Sequence, residues 1–178
     1  MRALLTATLV LGLASAAMAQ TADLKVGDQA PNFKLQATDG KTYQLSDFKG
    51  KKPVVVAWFP AAFTRGCTIE CKSLAENGEK IKMYDVTYFM ASVDPIEGEK
   101  GNKAFAESQK ADFPLLSDPT KKTAEAYGVL NPRGVASRWT FYIGKDGTIT
   151  HIDKAVKPAT SAEDMAAKLG ELKVAARK

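Results

Sequence analysis

Two cysteines that lie close together offer the most distinctive chemistry in this sequence. Cys67 and Cys71 are the only cysteines among 178 residues, and three residues separate them. Cys67 comes at the end of a loop that leaves a strongly apolar run, at the point where a helix is expected to begin. The amide groups and the dipole of a helix N-terminus stabilise a thiolate, which is the nucleophilic form of cysteine. The pattern therefore favours a reactive thiol, and a buried, inert cysteine at a helix start is the alternative.

The loop before Cys67 contains two further residues that suit a thiol site. Thr64 can direct its hydroxyl into the same pocket, and Pro60 removes a backbone donor and stiffens the loop. Both features favour a site that activates sulfur and restricts access to it. A purely structural disulfide between the two cysteines is the competing role, but it would close a loop too short to stabilise the fold much.

The spacing Pro60-x-x-x-Thr64-x-x-Cys67 resembles the signature of the peroxiredoxins. The similarity extends over most of the chain and includes Gly66 and residues 27–31, 68–70 and 138–141. The resemblance implies a thioredoxin-like fold and the reduction of hydrogen peroxide or organic hydroperoxides, in which Cys67 becomes a sulfenic acid. It also implies a cycle without haem, flavin or metal, with an external dithiol protein as the reductant.

The same resemblance implies roles for the residues around Cys67. Thr64 would hydrogen-bond the peroxide and the thiolate, and Pro60 would shield the sulfenic acid. Arg138 would stabilise the thiolate and polarise the peroxide oxygens, although an arginine that starts an apolar strand is by itself more often a surface residue. Glu70 is expected to be a supporting residue at most, as an acid in the first helical turn that complements the helix dipole.

Cys71 is the natural resolving cysteine, and the sequence resembles the Q-type group of the family, in which both cysteines lie on one helix. That group usually spaces its cysteines five residues apart, whereas Cys71 follows Cys67 by four. Four residues apart on a helix, the two Cβ atoms are ~5–6 Å from each other, and a disulfide requires about 3.5–4.5 Å. The bridge therefore requires the first helical turn to unwind. The alternative is a one-cysteine enzyme in which an external thiol resolves the sulfenic acid.

Two other classes of protein compete with this interpretation. The C-x-x-x-C spacing with the distant His151 also resembles the Sco copper chaperones, because two thiolates and an imidazole can bind copper. Those proteins normally have a proline after the second cysteine, where this chain has Lys72. Thiol-disulfide oxidoreductases of the thioredoxin type use C-x-x-C and a cis-proline before the facing strand, where this chain has Trp139. Both alternatives thus lack features that their classes require.

Alternating strands and helices are expected to position these residues. Residues 54–59 are continuously apolar and rich in β-branched side chains, which is typical of a strand buried on both faces. The other expected elements, in chain order, are a hairpin over 33–45, a helical turn at 46–50, a helix over 67–83, a strand over 86–93, a helix over 98–110, a short strand at 115–116, a helix over 120–127, a hairpin over 138–152 and a final helix from Ser161. This order predicts an α/β fold with a mixed central sheet flanked by helices and an N-terminal β-hairpin.

Residues 1–19 have the features of a secretory signal peptide. Arg2 gives a positive start, residues 3–13 are apolar, and Ala17-Met18-Ala19 is a small-residue cleavage pattern. The apolar run is far shorter than the ~20 residues that a spanning helix needs. We therefore expect a periplasmic or secreted protein whose domain covers residues 20–178, with no membrane attachment after cleavage.

The composition limits the remaining functions. The formal net charge is +5, and the lysines are scattered along the chain, so no nucleic-acid partner is expected. Two cysteines and one histidine cannot supply the four ligands of a structural zinc site. The sequence does not distinguish a monomer from a homodimer.

Overall fold

The most apolar run of the chain forms the strand on which the fold is built. In the computed structural model, which describes residues 23–178, strand β3 (Val54–Trp58) is buried along its whole length. Strand β4 (Thr87–Ser92) pairs with it in parallel on one side, and β6 (Thr140–Ile143) pairs antiparallel on the other. A strand in the middle of a covered sheet has no solvent-facing side, which explains why this run shows no polar alternation.

Two hairpins extend the sheet on both sides of the parallel strands. The remaining strands are β1 (Lys34–Ala37), β2 (Thr42–Gln44), β5 (Leu115–Ser117) and β7 (Ile149–Asp153). They complete a seven-stranded sheet of order β2-β1-β5-β4-β3-β6-β7, in which β3, β4 and β5 are parallel. The N-terminal hairpin pairs antiparallel with β5 and is therefore part of the same sheet. The expected α/β fold with a mixed sheet and an N-terminal hairpin is confirmed.

Helices cover both faces of this sheet. They are α1 (Arg65–Asn77), α2 (Glu79–Lys82), α3 (Asn102–Gln109), α4 (Lys122–Ala126) and α5 (Ser161–Glu171). Val55 and Ala57 of β3 belong to a core with residues of α1, α3 and α5, and both cysteines lie in that core. Val54, Val56 and Trp58 belong to a second core on the opposite face, with residues of α4 and the N-terminal hairpin. The two cores explain why consecutive β3 side chains are all apolar.

The helix that contains the cysteines differs from its predicted bounds at both ends. It was expected over residues 67–83, but α1 begins at Arg65 and ends at Asn77, and α2 follows after Gly78. Thr64 has extended backbone angles and occupies the N-cap position, so Cys67 is the third residue of the helix. At Gly78 a Cβ atom would lie 2.5 Å from the Leu74 carbonyl oxygen and 2.9 Å from the Tyr88 hydroxyl oxygen, so only glycine fits.

The expected signal peptide, residues 1–19, lies outside the described residues. Within residues 23–178, no helix combines the length and the apolar character needed to cross a membrane.

Candidate active site

The topology of the sheet brings Cys67 and Arg138 to the same place. Strands β3 and β4 are parallel and end at one edge, and the antiparallel β6 begins at that edge. The backbone amide of Trp58, at the end of β3, donates to the carbonyl of Trp139, just before β6. The loop after β3 leads to Cys67, and Arg138 lies two residues before β6. Two residues 71 positions apart in sequence therefore meet at this edge.

The Arg138 guanidinium bridges the Cys67 sulfur and a buried carboxylate. Its Nη2 donates to Cys67 Sγ at 3.2 Å, and its Nη1 donates to Glu70 Oε2. The side chains of Cys67 and Glu70 are completely buried, and that of Arg138 is only 18% exposed. The guanidinium therefore places a permanent positive charge in direct contact with the sulfur, away from bulk water. The arrangement is suited to a nucleophilic cysteine.

Glu70 has a more specific place than the sequence indicated. It was expected to be a first-turn acid that complements the helix dipole, but α1 begins at Arg65, so Glu70 lies beyond the first turn and is buried. It shares a helical face with Cys67, three residues earlier, and with Leu74, four residues later, and this face packs on the sheet. A buried carboxylate needs a cationic partner, and Arg138 provides it. The spacing of Glu70 from Cys67 and Leu74 was the signal for this burial.

Gly66 makes room for the arginine. A Cβ atom at this position would lie 3.0 Å from Nη2 of Arg138, which is closer than most real contacts. A side chain there would push the guanidinium away from the sulfur. The close approach of Arg138 thus explains why glycine occupies the position before Cys67.

The loop between β3 and α1 holds the other two predicted site residues. The Thr64 hydroxyl donates to the Ala61 carbonyl at 2.9 Å, and the Thr64 carbonyl accepts the Thr68 amide at 2.9 Å in the first helical turn. Thr64 is exposed, and Pro60 is half-buried, two residues after the end of β3. Thr64 and Pro60 therefore lie on the same loop as Cys67, and their contacts with a bound peroxide stay predictions.

Cys71 lies one helical turn after Cys67 and is completely buried in the same core. Neither thiol is bonded to another cysteine. Burial, together with the charge of Cys67, raises the pKa of the Cys71 thiol to about 12. Cys71 is therefore a protonated, unreactive thiol as long as α1 is intact.

The residues expected of the two competing classes do not form a site. His151 lies on β7 opposite Tyr142, with ring centroids 5.5 Å apart, and burial lowers the pKa of its imidazole. Within residues 23–178, no group of three or more His, Cys, Asp or Glu side chains is placed to hold a metal ion. The same residues contain no cis peptide bond, which includes the bond between Trp139 and Thr140. The copper chaperone and the thioredoxin-type oxidoreductase are thus not favoured.

Comparisons with known proteins agree with this site. Residues 26–152 match the model of the AhpC/TSA family. The chain is 35% identical to peroxiredoxin Bcp of Escherichia coli K12 over 136 residues, which cover 72% of this chain and 85% of that protein. It is 37% identical to chloroplastic peroxiredoxin Q of Triticum aestivum over 130 residues, which cover 71% of this chain and 57% of that protein.

A solved structure extends the similarity to the fold. The crystal structure of peroxidoxin BcpB from Mycobacterium tuberculosis superimposes with a TM-score of 0.74 at 28% sequence identity. The match covers 84% of this chain and 98% of that one, so the sheet and helices described above are those of a thioredoxin-like peroxiredoxin fold. The chain therefore belongs to the AhpC/TSA family and is a thiol-dependent peroxidase related to the Bcp and Q peroxiredoxins.

Proposed function

We propose that Cys67 is the peroxidatic cysteine and that it reduces hydrogen peroxide and organic hydroperoxides. The observation that supports this role most directly is the 3.2 Å contact between Cys67 Sγ and Arg138 Nη2 in a buried site. The Cys67 thiolate attacks one peroxide oxygen, so that an S–O bond forms and the O–O bond breaks. The second oxygen leaves with the electron pair and takes a proton to become water or an alcohol. Arg138 stabilises the negative charge that passes from sulfur to the leaving oxygen.

Cys71 resolves the sulfenic acid in the second step of this proposal. Its sulfur attacks Cys67 Sγ, the S–S bond forms, and the S–O oxygen leaves as water after it takes a proton. The pKa of about 12 keeps Cys71 protonated in the intact helix, so this step requires α1 to open first. Unwinding would bring the two sulfurs within bonding distance and expose Cys71 to water, where a thiol has a pKa of about 8.5. A thioredoxin-like dithiol protein then reduces the disulfide by thiol exchange.

A single-turnover experiment tests this cycle. Fully reduced, metal-free protein is mixed with one equivalent of hydrogen peroxide and followed by tryptophan fluorescence, since Trp139 is the residue after Arg138 and its carbonyl accepts the backbone amide of Trp58. Thiol counting and intact mass are measured afterwards. We expect fast peroxide loss, the consumption of both thiols, and a mass decrease of two hydrogen atoms. Peroxide loss at the rate of free cysteine would contradict the proposal.

Replacement of Cys71 by serine separates the two steps. The C71S variant is expected to consume peroxide as fast as the unmodified protein. Its reaction should stop at the sulfenic acid of Cys67, which raises the mass by one oxygen atom. Recycling by a dithiol protein should then slow by about tenfold or more, because no intramolecular thiol is present at high effective concentration. A C71A variant controls for the buried hydroxyl. Recycling at an unchanged rate in both variants would instead assign the resolving role to an external thiol.

We propose further that residues 1–19 direct the protein to the periplasm and are removed there. The support is the sequence of this segment, with its positive start, apolar run and small-residue cleavage pattern. When the full chain is expressed in a Gram-negative bacterium, the periplasmic fraction should contain a protein that begins at Gln20 by mass. Replacing Ala19 with aspartate should block cleavage. An uncleaved chain in the cytoplasmic fraction would contradict the proposal.

A further inference from the structure

A carboxylate on a neighbouring strand holds the loop that leads to Cys67. Asp94 follows β4 by two residues and is half-buried. Its Oδ2 accepts the backbone amide of Ala62 at 2.9 Å and the hydroxyl of Ser92 at 2.9 Å. Because β3 and β4 are parallel, the loops that follow them meet at one edge of the sheet. The hydrogen bond from the Ala62 amide to Asp94 connects these two loops. Sequence reasoning missed Asp94, although a polar residue at the carboxyl end of a parallel strand is a recognisable signal.

Buried groups fix the position of Asp94. Ser92 and Asn102 are completely buried and lie 3.1 Å apart through Ser92 Oγ and Asn102 Oδ1. The Asn102 side-chain amide donates to the Leu116 carbonyl at 3.1 Å, and the Ser117 hydroxyl donates to the Asp94 carbonyl. These bonds join β4, β5 and α3 behind the carboxylate. Asp94 is thus anchored to elements that do not include the active-site loop.

The loop that Asp94 holds contains a strained residue. Phe63 has a φ of +61°, in the left-handed region that a bulky aromatic residue rarely adopts. Such a conformation persists only where the surroundings hold it. Phe63 is 43% exposed, and its ring contacts Phe105 of α3 with centroids 5.3 Å apart. The hydrogen bond of Ala62 with Asp94 and the contact of Phe63 with Phe105 therefore both hold the same strained loop in place.

We propose that Asp94 is a positioning residue that holds this loop in the peroxide-reducing conformation and limits how fast α1 opens for disulfide formation. The inference rests on the roles proposed for Cys67 and Cys71. Helix α1 begins at Arg65, three residues after Ala62, so unwinding its first turn must displace the loop. Loss of the Ala62 bond shifts the equilibrium toward the open loop. Peroxide reduction should then slow and disulfide closure should accelerate, because the two steps need opposite conformations.

The oxidised enzyme has two competing fates, and Asp94 influences the choice between them. Cys71 can attack Cys67 Sγ, which forms the S–S bond, breaks the S–O bond and releases water. A second hydroperoxide can instead meet the sulfenic acid before the helix opens, so that a second S–O bond forms, its O–O bond breaks, and water or an alcohol leaves. The product of the second reaction is an inactive sulfinic acid. When Asp94 holds the active-site loop, α1 opens more slowly, and the sulfenic acid is exposed to a second peroxide for longer.

The test compares D94A and D94N with a matched control, D118A. Asp118 follows the parallel strand β5 at the same edge and accepts the Ala124 amide at 2.8 Å and the Thr120 hydroxyl at 2.9 Å. It therefore makes the same kinds of bonds as Asp94, but with α4 and the segment before it. Rapid quenching with intact-mass analysis gives the rate constant for peroxide consumption, the rate constant for disulfide closure, and the peroxide concentration that converts half the enzyme to the sulfinic acid.

We expect D94A to slow peroxide consumption about tenfold and to accelerate disulfide closure about tenfold, as for the loss of a hydrogen bond to a charged group. It should also need more peroxide for half-conversion to the sulfinic acid. D94N keeps an acceptor oxygen and should stay within about threefold of the unmodified protein, and D118A should lower the melting temperature without changing either rate constant more than about twofold.

Equal effects of D94A and D118A, or changes of both rate constants in the same direction, would overturn the role of Asp94. If D94A does not fold, S92A removes one of the two donors to the carboxylate, and it should shift the two rate constants in the same opposed directions. An unmodified protein that forms no disulfide would refute the role of Cys71, but peroxide consumption by D94A would still test whether Asp94 positions the loop.

Discussion

Replacement of Cys67 by serine is expected to abolish peroxide reduction, with a fall in rate of about 10⁴-fold or more, as for the removal of an enzyme nucleophile. No other group can take over the reaction. The remaining thiol, Cys71, is completely buried, and burial, which does not depend on Cys67, is the main reason why its pKa is raised and the thiol stays protonated. The Arg138 guanidinium would stay in place, paired with Glu70, and face a hydroxyl that does not ionise.

The rate of peroxide loss in a single turnover, measured by stopped flow, checks this expectation. C71S is the matched control, because it removes the other cysteine from the same helix face and leaves the first step intact. If C67S and the unmodified protein consume one equivalent of peroxide equally fast, the assignment of Cys67 is wrong. Circular dichroism should show that both variants keep the helical content of the parent.

Removal of Arg138 is expected to lower the rate constant for peroxide consumption by about 10²- to 10³-fold, in line with the loss of one preorganised charge-stabilising donor. The R138M variant takes away the cation 3.2 Å from Cys67 Sγ, which in the proposed reaction stabilises the negative charge that passes from sulfur to the leaving oxygen. It should also lower the free energy of unfolding by about 3–5 kcal/mol, because it leaves the Glu70 carboxylate buried without a partner.

A double variant separates catalysis from stability. R138M/E70Q removes both charges, so it should regain most of the stability lost in R138M while peroxide reduction stays slow. Urea unfolding measures the first effect, and stopped flow measures the second. Recovery of activity together with stability would show that Arg138 acts only through the fold. E70Q alone should lower activity less than R138M, because the guanidinium stays near the sulfur but loses the carboxylate that orients it.

The central sheet was predictable because its signal is local, and the proposal of Cys67 as the nucleophile also rests on local signals. Residues 54–59 form an unbroken apolar run, and a run of this kind has few alternatives to a central buried strand. Cys67 follows this run after a short loop, and its spacing from Pro60 and Thr64 matches the Pro-x-x-x-Thr-x-x-Cys pattern. The glycine between α1 and α2 was not explained by the sequence, because the contacts that leave no room for a side chain at Gly78, with the Leu74 carbonyl and the Tyr88 hydroxyl, exist only in the folded structure.

The supporting residues of the site were harder to predict because their contacts are long-range. Glu70 looks like an ordinary helix acid until Arg138, 68 residues later, is placed beside it. The contact of Asp94 with the loop before Cys67 becomes evident only when β3 and β4 are known to be parallel neighbours whose loops meet. Composition and periodicity describe which face a side chain occupies, but they do not specify which distant residue lies opposite.

The burial of Cys71 also has a consequence for how the protein meets other reagents. A protonated thiol inside a core cannot coordinate soft metal ions, react with alkylating electrophiles or exchange with foreign disulfides. The folded chain therefore withholds this second sulfur from such reagents. Cys71 becomes reactive only when α1 opens, so the rate at which an electrophile labels Cys71 reports the opening of the helix.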